Sequence, residues 1–255
     1  HFISTQDWSR PELEALLSKA EELKARPWND KLKNRSIALL FLNPSLRTRT
    51  SFELGMQQLG GTAIVLQPGK DAWGIEFEDG VIMNGSAEEH IKEVAGVLSS
   101  YCDLIAVRAF PQFKVWSYDK TDPFITGLAN YSSVPVINME TILHPCQELA
   151  FMMALQSRLG CVKNKKLTIT WTWHPKPLNT AVANSALLIA TRFGMDVTLL
   201  VPTENYMLDE TFITQARNNA QENGGQVSLS HDIKSAYTGA DAVYAKSWGA
   251  LPFYG

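Results

Sequence analysis

Apolar and polar positions along this chain fall into blocks, and the block lengths separate strands from helices. Short unbroken apolar runs predict strands at 36–42, 62–66, 103–108 and 134–138. Continuous runs of this kind fit strands covered by helices on both faces. Helical spacing predicts helices between them at 51–59, 87–101 and about 122–131. An amphipathic helix opens the chain: Ser9-x-x-Glu12 is a capping box, and Leu13, Leu16, Leu17, Ala20 and Leu23 follow at helical spacing. A long helical stretch, 147–159, then interrupts the alternation. It restarts with strands at 166–173, 195–201, 226–230 and 241–245, and helices at about 179–193, 209–222 and 232–239. Two strand–helix–strand series joined by a helix predict an α/β fold of two doubly wound parallel-sheet domains. The boundary is expected near residues 140–150. Ligands of such folds bind at the carboxyl ends of the strands, and clefts between domains are also favoured.

That rule draws attention to the residues just past the end of each predicted strand. After Ile37–Leu42 comes Asn43-Pro44-Ser45-Leu46-Arg47-Thr48-Arg49-Thr50, leading into the helix predicted at 51–59. A helix N-terminus offers unpaired N–H groups and partial positive charge, so hydroxyls and guanidiniums there make a seat for a phosphate dianion. Ser45 or Thr48 as an ordinary cap, with solvated arginines, is the plainer alternative. Two arginines beside the cap exceed what capping needs, which favours the anion seat. Arg108 ends the next strand. Glu140, His144 and Gln147 come after 134–138; Trp173, His174, Lys176 and Asn179 come after the strand ending at Trp171; Lys246, Ser247 and Trp248 come after 241–245. Each has a structural alternative: His144-Pro145 also suits a helix start, and Lys176 between two prolines also suits a surface loop. Trp73, in Lys70-Asp71-Ala72-Trp73-Gly74, also reads as a half-buried loop aromatic.

Composition narrows the chemistry. Of 255 residues, 45% are apolar and 19% charged, as in a globular protein with a sizeable core. A formal net charge of −3 argues against a nucleic-acid surface or a polybasic membrane surface. No apolar run approaches the roughly 20 residues that span a bilayer. Cys102, Cys146 and Cys161 are an odd set without metal-type spacing, pointing to a reduced, cytoplasmic setting. No zinc-type spacing, phosphate-loop lysine motif or Gly-x-Gly-x-x-Gly after a strand occurs, so no metal or cofactor is expected. The chain starts at His1 and stops in what reads as a loop after Ala250-Leu251-Pro252-Phe253-Tyr254, so further residues are expected at both ends.

Ser45-Leu46-Arg47-Thr48-Arg49-Thr50 and His144-Pro145-Cys146-Gln147, with Arg108 between them, resemble the phosphate-binding Ser-x-Arg-Thr-Arg and carbamoyl-binding His-Pro-x-Gln motifs of the aspartate/ornithine carbamoyltransferase family. The resemblance covers essentially the whole chain. It implies a carbamoyl-phosphate-binding domain at 1–143, an amino-acid-binding domain at 144–255 that is incomplete at its end, and an active-site cleft between them. It implies Thr48, Arg108 and His144 as catalytic groups. Ser45, Leu46, Arg47, Thr48, Arg49, Trp73, Arg108, His144 and Gln147 are implied to hold carbamoyl phosphate. The second substrate is read from Lys70-Asp71-Ala72-Trp73, Val107-Arg108-Ala109-Phe110, Asn138-Met139-Glu140-Thr141, Trp173-His174-Pro175-Lys176-Pro177-Leu178 and Tyr244-Ala245-Lys246-Ser247-Trp248. These resemble the family members that carbamoylate the δ-amine of N-acetylornithine, giving N-acetylcitrulline in arginine biosynthesis. Lys246 suits a substrate whose acylated α-nitrogen carries no charge. Glu88 stands where the succinylornithine-specific members carry proline, and a carboxylate there repels a succinyl group but not an acetyl group. Its alternative is a simple dipole-favoured place in the first helical turn. Glu88, Glu140, Asn179 and Lys246 are thus expected on the acetylornithine side, with Lys176 a weaker addition. The family also implies a homotrimer with shared sites, which Trp73 would reach from a neighbouring subunit. Succinylornithine, ornithine or aspartate as acceptor, and a non-catalytic carbamoyl-phosphate binder, are the competing readings. The family's His-Cys-Leu-Pro loop lies later than anything in this sequence.

Overall fold

The computed structural model describes residues 1–254. They form two compact units. The first comprises residues 1–3, 18–111 and 118–141, and the second residues 4–17, 112–117 and the described residues from 142 on.

The opening helix α1 (Arg10–Ala25) starts where expected, with the Glu12 carboxylate accepting from the Ser9 N–H at 2.7 Å. In the first unit, β1 (Ser36–Phe41), α2 (Leu46–Gln58), β2 (Thr62–Leu66), the two-residue strands β3 (Ile75–Glu76) and β4 (Glu89–His90), α3 (Ile91–Tyr101) and β5 (Leu104–Arg108) come in order. A short turn of helix α4 (Trp116–Asp119), then α5 (Pro123–Tyr131) and β6 (Val136–Glu140), complete this part of the chain. The main sheet is parallel throughout, in the order β2-β1-β5-β6. β1 and β5 sit centrally and are buried on both faces, as their unbroken apolar runs require. Ile105, Val107, Ile91, Ile125 and Leu128 pack one face; Ile37, Leu39, Met56 and Met139 pack the other.

The second unit contains α6 (Pro145–Leu159), β7 (Lys166–Trp171), α7 (Ala181–Arg192), β8 (Asp196–Leu200), α8 (Glu210–Asn223), β9 (Gln226–Ser230), α9 (Ile233–Tyr237) and β10 (Ala242–Lys246). Its sheet is also parallel, in the order β10-β7-β8-β9. α7 is buried along almost its full length against α6 and α8, which suits its mainly small and aliphatic residues. Gly224 ends α8 in the left-handed region at φ 84°, a conformation that costs glycine little.

Four boundaries differ from the sequence expectation in ways that matter. α2 begins at Leu46, not Ser51, because Ser45 caps it by accepting from the Thr48 N–H at 3.1 Å. Arg47, Thr48 and Arg49 therefore stand on the first helical turn. The helix expected from residue 87 begins at Ile91; before it, Glu89–His90 pairs with Ile75–Glu76. Glu88 is thus in a loop leading into a strand and gains nothing from a helix dipole. β6 runs on to Glu140, which lies in the sheet and not after it. Lys246 is likewise the last residue of β10.

Candidate functional site

The candidate anion seat of the first unit lies where β1 hands over to α2. Phe41, the last residue of β1, pairs with Arg108 at the end of β5. The loop between is tied down by Leu42 N–H to Arg108 O at 3.0 Å and by Phe110 N–H to Asn43 Oδ1 at 2.7 Å. The first turn of α2 is thereby held beside the carboxyl end of β5, with helix N–H groups unspent. Thr48 is half-buried, while Arg47 and Arg49 are exposed. The two arginines are not equivalent. Arg49 pairs with Glu53 at 3.2 Å, one turn on, whereas Arg47 makes no ion pair among the described residues. Leu46 is 80% exposed and contributes main chain, not packing.

Arg108 is buried, at 8% exposure, and its Nη1 donates to the Glu140 carboxylate. A register shift between Val107 and Arg108 sets the two residues opposite each other, since Val107 faces Asn138 but Arg108 faces Glu140. Such a bulge re-aims a strand-end side chain. The Phe110 ring lies under the guanidinium, 4.6 Å from Cζ to centroid. Arg108 Nε is buried with no hydrogen-bond partner among the described residues, so a donor is held dry and unspent. The pairing of Glu140 with Arg108 gives Glu140 a part in orienting this donor, a role sequence reading had not assigned.

Trp73 and Glu88 share a loop region of this unit. Trp73 is 64% exposed, and the Glu88 carboxylate approaches the next residue, Gly74, closely: a Cβ there would lie 3.8 Å from Oε2. The β3–β4 pair brings these two loops together, and it escaped sequence reading because two-residue strands carry no periodic signal.

In the second unit, His144 occupies the N-cap position of α6 and Pro145 the first turn. Its N–H donates to Ser185 Oγ at 2.7 Å. Gln147 is half-buried, with Nε2 donating to the Tyr244 hydroxyl at 3.0 Å. Asn179 is buried ahead of α7, its Oδ1 accepting from the Ala181 N–H at 3.2 Å. Lys246 pairs with Trp171 across the strand ends, and its carbonyl accepts from the Thr172 N–H at 3.0 Å. Beside these ends lies a cavity of about 480 Å³ lined by Trp171, Trp173, His174, Lys176, Trp248 and Phe253, among others. Lys176 is exposed at its rim. Trp248 is wholly buried, with Nε1 donating to Tyr206 O at 2.8 Å, so it is a wall of this cavity. The aromatic lining was scattered in sequence and became visible only once the strand ends were aligned.

Among the described residues, no helix is long and apolar enough to cross a membrane. No group of three His, Cys, Asp or Glu side chains is arranged to hold a metal ion among them.

Comparison with known proteins gives a consistent picture. Residues 1–157 match the family model "Aspartate/ornithine carbamoyltransferase, carbamoyl-P binding domain", and residues 165–252 match "Aspartate/ornithine carbamoyltransferase, Asp/Orn binding domain". The N-acetylornithine carbamoyltransferase of Xanthomonas campestris pv. campestris is 63% identical over 257 residues, covering 100% of this chain and 76% of its own length. The N-succinylornithine carbamoyltransferase of Bacteroides fragilis is 35% identical over 219 residues, covering 86% of this chain and 65% of its own. A crystal structure of acetylornithine transcarbamylase complexed with acetylcitrulline matches with a TM-score of 0.98 at 63% identity, over 100% of this chain and 77% of that one.

Proposed function

The chain belongs to the aspartate/ornithine carbamoyltransferase family, and on that footing we propose that it transfers the carbamoyl group of carbamoyl phosphate to the δ-amine of N-acetyl-L-ornithine. The products are N-acetyl-L-citrulline and phosphate, a step of arginine biosynthesis. The observation that carries this reading is the capped first turn of α2, with Arg47, Thr48 and Arg49 upon it, set beside the dry Arg108 donor. The 63% identity to enzymes named for N-acetylornithine supports the choice of acceptor.

The acceptor nitrogen attacks the carbamoyl carbon, the N–C bond forms, and the carbonyl oxygen takes up negative charge. Thr48, Arg108 and His144 donate hydrogen bonds to that oxygen. The C–O bond to phosphate then breaks, and the leaving dianion keeps the electron pair. Ser45, Arg47, Thr48, Arg49 and the main chain at Leu46 stabilise it at the helix N-terminus, and Trp73 closes over it. Gln147 orients the carbamoyl NH₂. Glu140, Asn179 and Lys246 hold the acetylornithine side, with Glu88 excluding a second carboxylate. An alkyl ammonium has a pKa near about 10.4, so the amine must be deprotonated before attack. The nitrogen sheds a second proton as the N–C bond forms, and the departing phosphate takes it up, so that it leaves as the hydrogen-phosphate dianion. Fixed dipoles and orientation supply the acceleration, without a covalent enzyme intermediate.

In this reading residues 1–143 serve carbamoyl phosphate and 144–255 serve the amino acid. The assembly is a homotrimer in the cytoplasm, and the exposure of Trp73 suits a residue that serves a neighbouring subunit's site. The test is ureido-product formation by the full-length protein from carbamoyl phosphate with acetylornithine, succinylornithine and ornithine side by side. Turnover confined to acetylornithine supports the proposal; turnover with another acceptor alone overturns the specificity, and none with any overturns the activity.

A further inference from the structure

The second unit contains a buried acid that the proposed chemistry does not use. Glu148 stands one turn along α6 from His144, and its N–H donates to His144 O at 3.0 Å. Its side chain is sealed in, at 1% exposure. The Thr5 hydroxyl, itself fully buried, donates to Oε2. Oε1 is buried with no hydrogen-bond partner among the described residues, and the Ser185 side chain lines the same small cavity as Glu148 and His144, without a hydrogen bond to the carboxyl in this arrangement. No cation pairs with Glu148 among the described residues. Burying an acid in this way costs stability, and packing α6 on α7 does not call for one.

The hydrogen-bond directions give the acid a task. Ser185 Oγ accepts the His144 N–H at 2.7 Å, so its own proton is free to point elsewhere. We propose that Glu148 is a positioning residue for His144: its ionised carboxyl orients the Ser185 hydroxyl, which fixes the His144 main chain and so the direction in which the imidazole is presented. The inference rests on the reading of His144 as a carbamoyl-binding group.

Burial pushes Glu148 up to about 7, while the Thr5 and Ser185 hydroxyls pull it down. The acid therefore changes charge near neutrality. Ionised, it only accepts, so it draws the Ser185 proton toward it across the shared cavity while Ser185 Oγ keeps the His144 N–H. Protonated, it carries a donor of its own that competes with the His144 N–H for Ser185 Oγ. The surroundings add few competing charges. On α6, the Cys146 thiol is pushed up to about 12 by burial and by the Glu148 charge, so it stays neutral; His144 caps the helix, and Arg158 lies in its last turn. β10 supplies the Tyr244 hydroxyl, which accepts from Gln147. On α7, Arg192 is engaged with Gln6 O and Glu222.

The test compares the full-length protein with Glu148→Gln, Ser185→Ala and the double variant. It measures kcat and KM for carbamoyl phosphate between about pH 5.5 and 9, with His144 amide exchange followed by NMR. Glu148→Gln is expected to keep its cooperative melt, to lower kcat about tenfold with KM changed less, and to remove a rise in kcat centred near pH 7. Ser185→Ala should reproduce the loss, and the double variant should add little to either. His144 amide exchange should speed up about tenfold in both single variants at pH 8. Glu148→Gln with unaltered kcat, pH profile and His144 exchange would overturn the proposal. If Glu148→Gln does not fold, Ser185→Ala carries the same comparison. If the wild-type protein makes no ureido product, the proposed function fails, and His144 exchange alone then decides the positioning role.

Discussion

Replacing Arg108 by methionine separates its structural work from the catalytic work proposed for it. The guanidinium and the Glu140 carboxylate are buried as a pair, with side-chain exposures of 10% and 11%. Removing one partner of a buried pair leaves the other charge desolvated, at a cost of roughly 3–5 kcal/mol. Spread over a chain of this size, that is a fall in melting temperature on the order of 10 °C. Arg108→Met/Glu140→Gln removes both charges and should recover a large part of the loss, because replacing a buried pair by neutral groups is often close to neutral. Activity should behave differently. In the proposed reaction the dry Nε and its neighbouring donors meet the developing charge, and losing such a donor costs about 10²–10³ in kcat. The double variant should therefore regain stability and remain nearly inactive. Thermal melts followed by circular dichroism, with steady-state kinetics on the same samples, make the comparison. A single variant as stable as wild type would refute the buried-pair argument. A double variant whose kcat returns within about threefold of wild type would refute the oxyanion role.

The same geometry sets further outcomes. Ser45→Ala removes the cap of α2 and should cost about 1 kcal/mol in the melt while raising KM for carbamoyl phosphate. Arg47→Ala should weaken phosphate binding by roughly 10- to 100-fold in titration calorimetry, since a charge-assisted bond to an unspent cation contributes about 1.5–3 kcal/mol. Glu53→Gln should instead tighten it about twofold, because it frees Arg49 from an exposed pair worth about 0.3–0.5 kcal/mol; weaker binding would show that Glu53 orients Arg49 and does not compete for it. Glu88→Ala should raise the ratio of succinylornithine to acetylornithine turnover about tenfold or more, measured by competing the two acceptors. The raised pKa of Glu148, at about 7, means the folded state holds its proton where the unfolded state has released it. Wild-type stability should therefore be greatest below the unfolded value of 4.5 as far as this group is concerned, and fall as pH rises toward about 7. Denaturant titrations of Glu148→Gln should lack that fall.

The central strands of the first sheet were legible because their apolar runs are nearly unbroken, and those of the second because apolar and β-branched residues dominate short runs; the polar positions just past them mark the strand ends. The placement of Arg47, Thr48 and Arg49 at a helix start was legible from their adjacency in sequence after an apolar run, and their service to an anion is the proposal built on it. What escaped were features that exist only across the sheet. The bulge at Val107/Arg108 is invisible in a run of apolar residues, yet it decides that Arg108 meets Glu140 and not Met139. The β3–β4 pair is too short to show a period, so Glu88 read as helical. Thr5 lies 143 positions from Glu148, and no local pattern links them.

This difference also explains why the chemistry could be read at the level of motif and not of individual arginines. A motif reports which groups can face an anion. Whether a given group is available depends on what else holds it. Arg49 and Arg47 are two positions apart on one helical turn, but only Arg49 reaches a carboxylate four residues on, because i and i+4 share a helix face. Arg108 is likewise defined by its partners: Glu140 takes Nη1, Phe110 takes the guanidinium face, and Nε is left over. A net charge of −3 is no obstacle to binding a dianion on such a surface, since attraction at short range depends on the few unspent donors beside the helix end.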